Sequence, residues 1–175
     1  CSEKGRLGRF DNDESEENER ASDALKKRLL TPGRVTFPKH GGGALGSAFG
    51  GEPAITAIVA GDFHSLAICA TADGSHSDVY GWGLSNCHQL GLFDPNPDLR
   101  GDEQVTYYPQ LVESLSGKKI VDGDAGTHHS LFRTADGDVI AIGRWTDGRC
   151  GVSGVPAATD GMLEEPTKVQ ALPGR

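Results

Sequence analysis

Residues Ala60-Gly61-Asp62-Phe63-His64-Ser65-Leu66 return as Ala125-Gly126-Thr127-His128-His129-Ser130-Leu131. Ala, Gly, His, Ser and Leu coincide at an offset of 65. Asp73-Gly74 then falls with Asp136-Gly137, and Gly83 with Gly143, where the offset has become 60. The five extra residues of the first copy are expected in the turn Thr71–Asp78, because surface turns accept insertions. Gly91 and Gly151 close the two copies. A period of this length, built of short segments, points to stacked β units that bury one face against the next, as in a propeller or a related array.

Two partial copies flank the complete ones. Cys1–Gly8, CSEKGRLG, matches the closing part of a unit. Pro166–Leu172, PTKVQAL, matches Pro109–Leu115, PQLVESL, and reads as the opening of another. The expected division is therefore 1–8 as the end of one blade, 9–54 as an insert, 55–108 and 109–165 as two blade repeats, and 166–175 as the start of a further blade. The chain begins at Cys1 without an initiator Met, so it reads as a piece of a longer protein.

Composition supports strands over helices. The chain of 175 residues holds 25 glycines and is 36% hydrophobic, with little helical periodicity. Strands are expected at Ile55–Ala60, Ser65–Cys69, Val79–Trp82, Ser130–Thr134 and Val139–Ile142. Asp-Gly between the members of each hairpin supplies the positive φ that tight turns need. The glycines flanking Trp82 are expected where neighbouring blades crowd together. Gly61, Gly126, Gly83, Gly143, Gly91 and Gly151, with His64 and His129, recur in register and read as parts of the scaffold. Each of the two histidines is expected to hydrogen-bond backbone in its own or the adjacent blade.

Phe10–Ala54 breaks the pattern. Asp11–Glu19 carries six acids, and Ala21–Leu30 reads as a short helix with Lys26, Lys27 and Arg28 at its C-terminal end. Thr31-Pro32 stops it. His40–Gly51 is too glycine-rich to hold one conformation and reads as a long surface loop. It lacks the Gly-Lys-Ser/Thr ending and the preceding strand of a phosphate loop.

The net charge of −8 opposes a generic phosphate-backbone binder. Cys1, Cys69, Cys87 and Cys150 form no Cys-x-x-Cys pair, which argues against a disulfide framework or a zinc site and for a reducing compartment. No apolar run reaches the ~20 residues that span a bilayer. Neither a nucleophile elbow nor a His-Glu-x-x-His motif is present. The residues point to a binding protein without metal or cofactor, taking no small-molecule substrate.

AGDFHSLAI, VYGWGLSNCHQLGL and AGTHHSLFRTADGDVIAIGRWTDGRCG resemble the repeats of the regulator of chromosome condensation family. The resemblance implies an all-β chain forming part of a seven-bladed propeller of four-stranded antiparallel blades. It implies a nuclear guanine-nucleotide exchange factor for the small GTPase Ran, which makes and breaks no covalent bond itself. Binding the nucleotide-free GTPase more tightly than the loaded one lowers nucleotide affinity by the same factor. By the same resemblance Arg9, Asn86, His88 and His128 face Ran, with His128 near a blade edge where loops gather. The family also contacts nucleosomes and histones, through a tail and a loop. That loop corresponds to the Ser22 neighbourhood, where Arg20 would supply an arginine. Asp23 and the acids of Asp11–Glu19 oppose contact with an acidic surface. The alternative within the same superfamily is a non-catalytic propeller that serves as a scaffold or protein-interaction module.

Overall fold

A computed structural model describes residues 33–37, 54–71, 73–92, 104–154 and 160–170. Among the described residues, eight strands form two four-stranded antiparallel sheets. The first holds β1 (Ala54–Ala60), β2 (His64–Ala70), β3 (Ser77–Leu84) and β4 (Val105–Leu111). The second holds β5 (Ile120–Ala125), β6 (His129–Thr134), β7 (Val139–Arg144) and β8 (Met162–Lys168). Strands follow chain order across each sheet, the up-and-down arrangement of a propeller blade. The helix expected over Ala21–Leu30, the glycine-rich loop His40–Gly51 and the segment Cys1–Gly8 lie outside the described residues.

The two sheets repeat each other down to their irregularities. The first strand bulges between Ile55 and Ala57 in one, and between Ile120 and Asp122 in the other. The third strand slips against the fourth between Gly81 and Gly83, and between Ala141 and Gly143. On the fourth strand those slips enclose Pro109 and Pro166, residues with no N–H to give a ladder. The shared Pro motif therefore marks the bulge of a closing strand. The sequence boundaries at 108/109 and 165/166 cut through β4 and β8, and Pro166–Lys168 completes the second blade instead of opening a third.

The five extra residues are also placed differently from expectation. β2 and β3 make seven register pairs, where β6 and β7 make five. Two residues thus lengthen each strand of the first hairpin, and one enlarges its turn. An insertion spread over paired strands keeps its backbone groups hydrogen-bonded, which a floppy turn would not.

The blades stack face to face. Val59, Leu66, Ile68, Val79, Leu90 and Val112 of the first meet Ile120, Phe132, Ile140 and Ile142 of the second in one buried cluster. Each such side chain contributes roughly 1.5–3 kcal/mol when fully buried. The far face of the first blade buries Ala67, Cys69, Tyr80 and Trp82, partly under Phe37. Phe37 meets Tyr80 and Trp82 edge to face at 5.2 and 6.2 Å. With apolar neighbours on both faces, β2 and β3 read as nearly continuous apolar runs instead of alternating ones.

Polar threads fix the blades in register. Ser77 Oγ donates to the Ile120 carbonyl at 2.6 Å, and Ser114 Oγ to the Gly91 carbonyl at 2.9 Å. The crowding at Gly83 is internal to its own blade: an added Cβ would lie 2.5 Å from the Phe63 carbonyl oxygen, and φ is +106°. Gly143 has the same relation to His128, with φ +96°, and an added Cβ would also lie 3.1 Å from Gln89 Cα of the neighbouring blade. The glycine after Trp82 is thus explained by its own hairpin, not by blade contact.

Candidate functional site

β2 begins where β3 ends, with His64 paired to Gly83; likewise His129 pairs with Gly143. The β1–β2 turn, the β5–β6 turn and the segments following β3 and β7 consequently share one end of the stacked blades. Phe63 and His128 sit in those turns, and their carbonyls accept the amides of Leu84 and Arg144, both at 2.8 Å. Asn86 and His88 follow β3 at the same end. The structure brings together three of the four residues expected to face a partner; Arg9 lies outside the described residues, as does Arg20.

Beneath this surface lies a buried hydrogen-bond relay. Ser130 Oγ donates to the Gln89 carbonyl at 2.7 Å, so it accepts from His64 Nε2–H at 2.8 Å. Ser130 therefore selects the Nε2–H tautomer of His64. His64 Nδ1 is buried with no hydrogen-bond partner. Burial, helped by the nearby His129 and His128, pushes the His64 imidazole down to about 4, with Asp62 opposing. The ring is neutral at physiological pH. His64 bonds a serine hydroxyl across the blade boundary, not the backbone acceptor expected from its recurrence, and the backbone is reached one step later. His129 Nδ1 is likewise buried and unbonded, and burial lowers that imidazole too.

The glycines before these histidines leave room for the rings. A Cβ on Gly126 would collide with the His129 ring, and one on Gly61 would lie 2.7 Å from His64 and 2.5 Å from the Gly126 carbonyl.

Gln89 links this relay to Asn86. Gln89 is fully buried. Its Oε1 accepts the Cys87 amide at 2.8 Å, and its Nε2 donates to Asn86 Oδ1 at 3.2 Å. His88 holds φ +59°, where the second copy has Gly148 at +72°. A histidine in that region is strained. His128 is half-buried, its ring 6.2 Å from Phe63.

Sequence reading missed Ser130 as the partner of His64, and Gln89 as the carbonyl beyond it. The signal was present, because Ser65 and Ser130 recur one residue after the matched histidines. It also missed Asp62 and Thr127, which differ between the copies and therefore carry no repeat signal.

The site offers hydrogen-bond donors, acceptors and imidazoles on a rigid rim, the equipment of recognition. Among the described residues, burial raises the Cys69 thiol to about 12 and Cys150 to about 11, and raises Cys87 as well, which disfavours the thiolate at these three positions.

Comparison with known proteins gives the repeats a name. The regulator of chromosome condensation (RCC1) repeat matches residues 76–133, and a second model of that repeat matches 55–89. Protein RCC1 of Candida albicans is 44% identical over 88 residues, 50% of this chain and 18% of that protein. The human E3 ubiquitin-protein ligase HERC2 is 37% identical over 78 residues, 45% of this chain and 1% of that protein. The chain thus spans less than a fifth of either relative. Among solved structures, Prp20p of Saccharomyces cerevisiae, studied for its binding to Gsp1p and histones, superposes with a TM-score of 0.53 at 26% identity. That match covers 68% of this chain and 27% of Prp20p.

Proposed function

We propose that this chain, which carries regulator of chromosome condensation repeats and is homologous to RCC1 proteins, serves a nuclear guanine-nucleotide exchange factor for the small GTPase Ran. The observation that carries this reading is the gathering of Asn86, His88 and His128 at one end of two blades, in a chain 44% identical to Candida albicans RCC1 over 88 residues. The binding of Prp20p to Gsp1p and histones supports a GTPase and a histone surface as partners.

The rim acts without covalent chemistry. It engages the nucleotide-free GTPase more tightly than the loaded one, and reciprocity of coupling lowers nucleotide affinity by the same factor. Stacked blades pinned by His64, Ser130 and Gln89 suit that task, because a stiff surface transmits binding energy to the GTPase instead of absorbing it. A few contacts of about 1–3 kcal/mol each carry such an interface. The division of the chain into repeats at 55–108 and 109–165 belongs to the same reading, with the sheet frame offset as described above.

HERC2 supports a second reading, a propeller used as an interaction module without exchange activity. Release of a fluorescent nucleotide from loaded Ran separates the two. The exchange reading expects the full-length protein to speed release well above the spontaneous rate. Release at the spontaneous rate leaves the interaction module.

A further inference from the structure

We propose that Asp62 and Thr127 are positioning residues for His128, tying together the two turns that present it. This rests on the partner face assigned above. Thr127 Oγ1 donates to Asp62 Oδ2 at 2.6 Å, across the blade boundary. The Asp62 amide adds a longer bond to the Gly126 carbonyl at 3.4 Å. Positions 62 and 127 are equivalent in the two copies, each one residue before an aromatic ring, Phe63 or His128. Those two rings meet at 6.2 Å with a 43° tilt.

The scaffold does not account for this tie. What both blades need at this rim recurs in both, as Gly61 and Gly126 or His64 and His129 do, whereas Asp and Thr do not recur. Their bond is solvent-exposed, and such bonds contribute little to global stability. A hydroxyl donating to a carboxylate is nonetheless short and directional. It fixes the turn immediately before His128 against the turn immediately before Phe63. With that tie, the imidazole is held in one place relative to Phe63; without it, the long Asp62 amide to Gly126 carbonyl bond is left to join the two turns, and the rim presents His128 in several orientations.

The test uses the full-length protein carrying Asp62→Ala, Thr127→Val, both together, or Thr127→Ser. Two readouts are taken: release of fluorescent nucleotide from loaded Ran at limiting exchange factor, and the ring-proton NMR shifts of His128, which report the neighbouring Phe63 ring. Asp62→Ala and Thr127→Val should each slow release about fivefold, with the double variant no slower than either single, because both remove one shared bond. Thr127→Ser should keep the wild-type rate. The His128 ring shifts should move in the two damaging variants and stay in Thr127→Ser, with melting temperatures near wild type throughout. Unmoved His128 shifts in Asp62→Ala and Thr127→Val would overturn the proposal whatever the rates. So would a double variant that slows release by the product of the singles, or a Thr127→Ser that behaves like Thr127→Val. His128→Ala in the same assay isolates the underlying reading. If it leaves release unchanged, the partner face fails, and the ring shifts alone decide whether the tie orients His128.

Discussion

His64 and His129 occupy the same position in their blades, follow glycines in the same way and pair with equivalent glycines across the hairpin. Yet His64 is fully buried and bonded to Ser130, whereas the His129 ring is partly open and makes no hydrogen bond among the described residues. The motif is the same, and among the described residues it is His64 that has a following blade packed against it. A repeat supplies half of each pin, and the adjoining blade supplies the hydroxyl that completes it. Stability in such an array accordingly resides as much in the junction as in the unit.

The comparison breaks first at the glycines that both blades share. Gly83→Ala should destabilise by roughly 3 kcal/mol or more, combining positive φ with a Cβ driven into the Phe63 carbonyl. Gly143→Ala should cost about the same. Urea unfolding that finds one variant harmless would end the structural equivalence of the two blades.

Acid should come next. The folded pKa of His64 is depressed to about 4 from an ordinary 6.5. Between those values the unfolded chain binds the extra proton, so stability present above pH 6.5 is lost as pH falls toward 4, by roughly 3 kcal/mol. Unfolding free energies measured across that window should lose this slope in His64→Ala. A slope that survives the substitution would assign the acid sensitivity elsewhere.

Deleting the rings sharpens the contrast between junction and unit. His64→Ala should cost about 2–3 kcal/mol, through the cavity and the lost bond to Ser130. His129→Ala should cost about 1 kcal/mol in this 175-residue chain, where its ring makes no hydrogen bond among the described residues. A reversed order in thermal or urea melts would show that the partly open histidine carries the load. The smallest effect belongs to His88→Gly, which relieves a positive φ that Gly148 holds freely in the other copy. It should leave stability unchanged or raise it by up to about 1 kcal/mol, while removing an imidazole from the rim.

Much of this was legible in the sequence because a propeller writes its scaffold twice. The matched Gly, His and Ser positions point to the two hairpins and to the first strand of the first blade, whereas β4, β5 and β8 carry no such signal, and the four-stranded blade came from the family resemblance. The Pro motif misled about blade limits, since a bulge inside a closing strand resembles an opening one when only spacing is visible. The partner of His64 was hidden for a different reason: Ser130 lies 66 residues away, and only stacking brings it within 2.8 Å. Asp62 and Thr127 were hidden because those positions differ between the two copies and so carry no repeat signal. Asn86, His88 and His128 were picked out by resemblance, and their shared end of the blades follows from the pairing of β2 with β3 and of β6 with β7.

The most direct measurement uses two adjacent residues with opposite duties. His128→Ala and His129→Ala, each made in the full-length protein, are compared for melting and for the rate of nucleotide release from Ran. His128→Ala should slow release about tenfold, equivalent to about 1.4 kcal/mol, with melting nearly unchanged. His129→Ala should lower the melting point while release at temperatures well below it stays close to wild type. Equal melting losses with equal rates would contradict the division between a repeated scaffold and a rim specialised for the GTPase.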